Sequence, residues 1–78
     1  MAVGYSIRLC ARNQAANHEL VGVRLGALCI EKDISVSQVS KALKVTRATV
    51  YNWFCGATTP QTYLKDQVLA FIAAHSEA

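Results

Sequence analysis

The chain has 78 residues, of which 53% are hydrophobic, and its formal net charge at pH 7 is +3. This length is enough for one compact domain but leaves no room for a large catalytic cleft beside a core. No apolar run approaches the roughly 20 residues of a membrane-spanning helix, and no signal-peptide pattern begins the chain, so we expect a cytoplasmic protein.

The first elements are an N-terminal segment and a helix. Residues 4–9 alternate apolar and polar side chains, which is typical of a short strand, so we expect residues 1–17 to form an arm or a short strand. Apolar residues three and four positions apart predict a helix over 18–32, the start of a domain that extends to residue 75. Gly22 and Gly26 lie on one face of it and predict the close approach of another helix.

Two short helices follow, and each has a clear N-terminal signal. Ser35 and Gln38 form a capping-box pattern in front of a helix over 36–43. Thr46 is the expected N-cap of a helix over 47–54, after a turn of about three residues. Five positions in these helices and the turn are expected to face the core: Val39, Leu43, Val45, Val50 and Trp53.

A fourth helix closes the domain. Gly56 can end the third helix because glycine tolerates a positive φ. Thr59 is the expected N-cap of the fourth helix, with Pro60 in its first turn, where the missing N–H costs nothing. Its expected apolar stripe consists of Tyr63, Leu64, Val68, Phe71 and Ile72. The predicted fold class is therefore all-α, a small domain of four helices with an N-terminal strand or arm.

The charges are unevenly distributed along the chain. Between residues 34 and 65 there are four cations and no carboxylate. The first eighteen residues contain Arg8 and Arg12 and again no acid. A cationic stretch without acids suits a surface that faces the phosphates of a nucleic acid. An ordinary solvated surface with a chance run of one sign is the alternative, and four charges alone do not decide between them.

The cysteines and histidines give no sign of a metal site or an enzyme. Cys10, Cys29 and Cys55 are odd in number and lack Cys-x-x-Cys spacing, and His18 and His75 lack ligand spacing. No nucleophile–base pair, phosphate-binding glycine loop or carboxylate pair is visible. We therefore expect reduced thiols, no metal, no cofactor, no small-molecule ligand and no enzymatic activity.

The third helix has an outward face suited to reading DNA. Arg47, Ala48, Tyr51 and Asn52 lie at i, i+1, i+4 and i+5, in one stripe that starts at the helix N-terminus. Arginine suits guanine, asparagine suits adenine and alanine suits the thymine methyl group. Tyr51 could instead pack on a neighbouring helix, and Asn52 could simply be exposed. The expected phosphate contacts are Ser37, Gln38, Lys41, Lys44, Thr46, Thr49, Thr58 and Thr59.

Residues 20–73 resemble the lambda-repressor and Cro-like, or Xre-type, helix-turn-helix family. The similar features are Gln-Val-Ser-Lys-Ala-Leu in the first helix of the motif, Val-Thr-Arg-Ala-Thr-Val-Tyr-Asn-Trp in the second, and the Gly56…Pro60 spacing. The resemblance implies that the outward stripe reads bases. It also implies phosphate contacts near Ser37, Gln38 and the loop before Pro60. The family usually has alanine in place of Ser40 and glycine in place of Lys44, so Lys44 must adopt a positive φ or the turn must differ.

The expected function is that of a sequence-specific transcriptional regulator, most simply a repressor. A homodimer on double-stranded DNA should span half-sites about one helical turn, roughly 34 Å, apart. The dimer contact is either the segment 4–9 or the fourth helix, and the basic N-terminal segment could instead be an arm in the minor groove. The size resembles that of small phage or mobile-element regulators. The alternative is a helix-turn-helix module that binds a protein, such as an antagonist of a host polymerase or nuclease.

Overall fold

The computed structural model describes residues 6–76, which form five helices and, within that range, no strand. The expected all-helical class is confirmed, but the number of helices is five instead of four. None of the helices in this range is both long and apolar enough to cross a membrane. The helices are α1 (Ile7–Ala15), α2 (Val21–Lys32), α3 (Val36–Leu43), α4 (Arg47–Cys55) and α5 (Thr62–His75).

The N-terminal segment is helical, so the predicted strand or arm is wrong for the residues that the structure describes. Residues 1–5 of that prediction lie outside the described residues. The Ser6 hydroxyl accepts a hydrogen bond from the Leu9 N–H at 3.1 Å and caps α1. A helix of nine residues is marginal by itself. Its packing against α2 and α4 therefore decides the conformation, and local alternation of side chains does not.

Asn13 attaches α1 to the rest of the molecule. Its side chain is 2% exposed, and its amide nitrogen donates to the carbonyl oxygens of Val23, at 3.1 Å, and Phe54, at 2.8 Å. These two bonds join α1 to α2 and to the last turn of α4. The described part of the N-terminal segment therefore packs as part of the helical body.

The prediction that Gly22 and Gly26 admit another helix is confirmed. A Cβ placed at Gly22 would lie 2.7 Å from Trp53 Cβ and 2.9 Å from Trp53 O, and one placed at Gly26 would lie 2.8 Å from Phe54 Cγ. Only glycine lets the α2 backbone approach α4 so closely. The position of α4 is therefore set by direct contact with the backbone of α2.

The core lies where the four C-terminal helices meet. Val39, Leu43, Val50 and Trp53 are buried as predicted, and Val45 is half-buried. The hydrophobic side chains that are buried are those of Val21, Val23, Leu25, Cys29, Ile34, Val36, Val39, Leu43, Val50, Trp53, Phe54 and Val68.

The start of α5 and one residue of its stripe differ from the prediction. The N-cap is Gln61, whose carbonyl accepts bonds from the N–H groups of Leu64 and Lys65, each at 2.9 Å. Pro60 is buried just before the helix. Tyr63 is 67% exposed. It lies five positions before the buried Val68, which corresponds to a rotation of about 140° around a helix of 3.6 residues per turn, so the two side chains lie on different faces. Thr59 is thus neither a cap nor part of α5.

Three of the helices end in a residue with left-handed backbone conformation. Asp33, Lys44 and Gly56 follow α2, α3 and α4 with φ of 56°, 57° and 76°. At the end of α3 the Val45 N–H donates to the Ser40 carbonyl at 3.0 Å, which closes the helix end. Of the two alternatives left open by the sequence, the structure therefore has the positive φ at Lys44. The turn keeps its three-residue length.

Candidate nucleic-acid interface

Side-chain caps define where α3 and α4 begin. The Ser35 hydroxyl accepts from the Gln38 N–H at 3.1 Å, and the Gln38 side-chain oxygen accepts from the Ser35 N–H at 3.1 Å. The Thr46 hydroxyl accepts from the Thr49 N–H at 3.2 Å. Both predicted caps are confirmed. They orient α3 and α4 on either side of a three-residue turn and leave other N–H groups at each helix start available to an anion.

The outer side of α4 carries the four predicted base-reading residues. Arg47, Ala48, Tyr51 and Asn52 are all exposed, and the exposed fraction of Tyr51 is 44%. The opposite side of the helix is buried through Val50, Trp53 and Phe54. The structure thus presents the four side chains together on a helix that is fixed from behind. Tyr51 does not pack into the core.

The predicted phosphate contacts all reach the surface. Ser37 and Thr49 are half-buried, and the others are exposed. Gln38 uses its side-chain oxygen in the cap, so its amide NH₂ group is left to donate to a phosphate. The hydroxyls of Thr46 and Thr49 lie 2.8 Å apart and share one hydrogen bond. One of these two hydroxyl hydrogens therefore remains for an external acceptor.

The loop after α4 is attached to the end of that helix. The N–H groups of Ala57 and Thr58 point at the Asn52 carbonyl, at 2.9 and 3.4 Å. Thr58 and Thr59 are exposed within this loop. Their position next to the end of α4 is consistent with the predicted phosphate contacts at this loop.

A groove between α1 and α4 was not predicted from the sequence. It has a volume of about 450 Å³ and is lined by Ser6, Arg8, Leu9, Arg12, Tyr51, Asn52 and Cys55. Arg8 and Arg12 are both exposed and lie one helical turn apart. The signal in the sequence was this pair of arginines in a stretch without acids. Their place beside α4 depends on long-range packing through Asn13, which no local pattern reveals.

The cysteines are free and differ in burial. Cys10 and Cys55 are half-buried, and Cys29 is buried. Burial raises the pKa of the Cys29 thiol from its usual 9.0 to about 12. This thiol is therefore a neutral core group at physiological pH. Across residues 6–76, no three His, Cys, Asp or Glu side chains cluster as a metal site would require.

No protein-family model, curated protein or solved structure matches this chain. The geometry of α3 and α4 and the charges around them are therefore the basis for any proposal about its function.

Proposed function

We propose that this protein binds DNA in a sequence-specific manner, with α3 and α4 acting as a helix-turn-helix unit. The outer face of α4 is the observation that carries the proposal. It exposes Arg47, Ala48, Tyr51 and Asn52 side by side, while its opposite side is anchored in the core. A helix of this kind fits the major groove of B-DNA, which is about 12 Å wide.

The chemistry of the exposed residues fits base recognition. The guanidinium of Arg47 can donate two parallel hydrogen bonds to guanine O6 and N7, and the Asn52 amide can pair with adenine N6 and N7. Ala48 can contact a thymine methyl group, and the Tyr51 hydroxyl can reach a base or a phosphate. A well-placed bidentate contact discriminates against the wrong base by roughly 1–3 kcal/mol.

The surrounding charge supports contact with the DNA backbone. Neither α3 nor α4 contains a carboxylate. Lys41 and Lys44 are exposed on and just after α3, where each can neutralise a phosphate. The capped starts of α3 and α4 add N–H donors of the right polarity. These features favour a polyanion such as DNA over a basic or apolar protein surface as the partner of this face.

The proposed role is that of a transcriptional repressor of the lambda-repressor and Cro-like type. Three features support a proposal of this type: the three-residue turn, the two capped helices and the left-handed conformation of Lys44. A single unit of this size contacts few base pairs, so we propose a homodimer on a pseudo-palindromic operator, with half-sites roughly 34 Å apart. Occupation of the operator would block access of the polymerase to the promoter.

Selection from a random DNA library, followed by titration of the selected site at two salt concentrations, tests the proposal. Enrichment of a two-fold symmetric sequence is expected. Arg47→Ala should weaken binding to this site by about 1–3 kcal/mol and relax the preference at one base pair. Lys41→Ala, the matched control, should weaken binding to all sequences alike and reduce its salt dependence.

Two results would refute this proposal. If no sequence is enriched and only weak, salt-sensitive binding remains, sequence reading is excluded and a protein partner becomes the better hypothesis. If Arg47→Ala and Lys41→Ala behave identically on specific and random DNA, the recognition face has been assigned wrongly.

A further inference from the structure

We infer that Arg8 and Arg12 of α1 each bind a phosphodiester of the DNA strand that borders the groove entered by α4. This inference rests on the proposed function and extends it to a helix outside the helix-turn-helix unit. It assigns the 450 Å³ groove between α1 and α4 as a backbone-binding site.

The position of the groove supports a DNA ligand. Tyr51 and Asn52 line it and also belong to the exposed stripe of α4. Any molecule that contacts this stripe along its whole length therefore also lies next to Arg8 and Arg12. Because the two surfaces are continuous, a strand of the DNA held by α4 fits the groove better than an unconnected small anion.

The chemistry of the groove suits a phosphate. Two guanidinium groups, with five N–H donors each, line it, together with the Tyr51 hydroxyl and the Asn52 amide. The Ser6 hydroxyl accepts the cap bond from Leu9 and keeps its own hydrogen free to donate. None of the described residues that line the groove is acidic. The site therefore combines positive charge with hydrogen-bond donors, as phosphate recognition requires.

The helical state of α1 determines which part of the DNA its arginines reach. An α-helix with side chains is about 10–12 Å wide, whereas the minor groove of B-DNA is only about 6 Å wide. A helix attached to α2 and α4 through Asn13 cannot lie in the minor groove as a flexible arm does. Its arginines are instead presented at a fixed distance from α4, at the level of the phosphates.

The first test compares salt dependence on the selected DNA site. Two phosphate contacts should contribute about 0.9 each to the slope of log K against log salt. Arg8→Ala/Arg12→Ala should therefore flatten the slope by about 1.8. Between 50 and 200 mM salt, the unmodified protein should lose about twelvefold more affinity than this variant. Arg24→Ala/Lys32→Ala removes the same charge from exposed positions on α2 that do not line the groove, and it should change the slope much less.

The second test locates the two phosphates. Single methylphosphonates, which are uncharged, replace the phosphates of the selected site one at a time. We expect two positions at which the substitution weakens binding by the unmodified protein several-fold but leaves binding by Arg8→Ala/Arg12→Ala unaffected. Positions contacted by Lys41 should remain sensitive in both proteins. Circular dichroism of the variant checks that the helices are retained.

Each alternative result has a distinct meaning. An unchanged slope and an unchanged methylphosphonate pattern would overturn the inference and leave the proposed function intact. A changed base preference in place of a changed slope would also overturn it, because the arginines would then read bases. If the unmodified protein selects no DNA sequence at all, the proposed function and this inference fail together.

Discussion

Replacement of Gly22 by alanine should destabilise the protein, although alanine is the better helix former. A Cβ at this position would lie 2.7 Å from Trp53 Cβ, 2.9 Å from Trp53 O and 3.1 Å from Trp53 Cα. Two of these atoms belong to the backbone of α4, and the third is fixed to it directly. No side-chain rotation can relieve the overlap, so the whole of α4 must move away from α2.

Two opposing terms set the size of this effect. Alanine gains about 1 kcal/mol over glycine inside a helix. Overpacking of a core costs typically 1–3 kcal/mol. The new Cβ would lie less than 3 Å from the Trp53 carbonyl oxygen, so the cost of Gly22→Ala should be at the upper end of that range. The expected net loss is about 2 kcal/mol. For a domain of 60–100 residues this lowers Tm by about 8–16 °C.

Urea unfolding followed by circular dichroism measures this difference. Ala70→Gly is the matched control, because Ala70 is exposed in the interior of α5 and the change alters helix propensity by one methyl group. It should cost about 1 kcal/mol. If Gly22→Ala instead stabilises the protein by about the amount that Ala70→Gly loses, α2 and α4 are not in backbone contact and the packing described above is wrong.

Three further predictions concern single side chains. Lys44→Gly should raise the unfolding free energy by about 1 kcal/mol, because it removes left-handed strain, whereas Lys44→Ala, which removes the same charge, should not. Asn13→Asp should lower the unfolding free energy by about 3 kcal/mol or more at pH 7, because a buried carboxylate would face two carbonyl oxygens. Protonation of the carboxylate at acidic pH should reduce this loss, and a loss that does not depend on pH would contradict the explanation. The raised pKa of Cys29 means that above pH 9 only the unfolded chain releases the proton, so the unfolding free energy should fall by up to about 1.4 kcal/mol per pH unit. Cys29→Val should remove this contribution to the pH dependence of the unfolding free energy. An equal pH dependence in both proteins would refute the assignment to Cys29.

The central helices could be predicted closely because their signals are local. Ser35 with Gln38 and Thr46 with Thr49 make bonds across three residues, so the residue types alone mark where α3 and α4 begin. Lys44 was predicted in part, since the usual glycine of the similar family left either a positive φ or a different turn, and the structure has the positive φ. The outward stripe of α4 follows from the same helix boundaries and from the period of 3.6 residues.

The ends of the chain could not be predicted in this way. The helical state of α1 depends on Asn13, whose partners lie 10 and 41 residues further along the chain. Such contacts leave no periodic pattern in the sequence. Asparagine is also common in turns, so the residue type alone does not indicate a buried position in a helix. The groove between α1 and α4 was missed for the same reason. At α5, the rule that proline favours the first helical turn was overridden by the burial of Pro60 in front of the helix.

The anchoring of α4 is uneven along its length, and this bears on how its two halves can act. The C-terminal half is held by Trp53 against Gly22 and by Asn13 at the Phe54 carbonyl. The N-terminal half is held from behind by the buried Val50, and Arg47 and Ala48 in the first turn before it are exposed. Under the proposed function, the exposed turn reads bases while the anchored half holds the helix beside the arginines of α1. A substitution at Arg47 should therefore change DNA preference while Tm stays constant, whereas a substitution at the anchored end should also lower Tm. Because a loss of stability also weakens binding, only the substitution at Arg47 can identify a base contact from affinity alone.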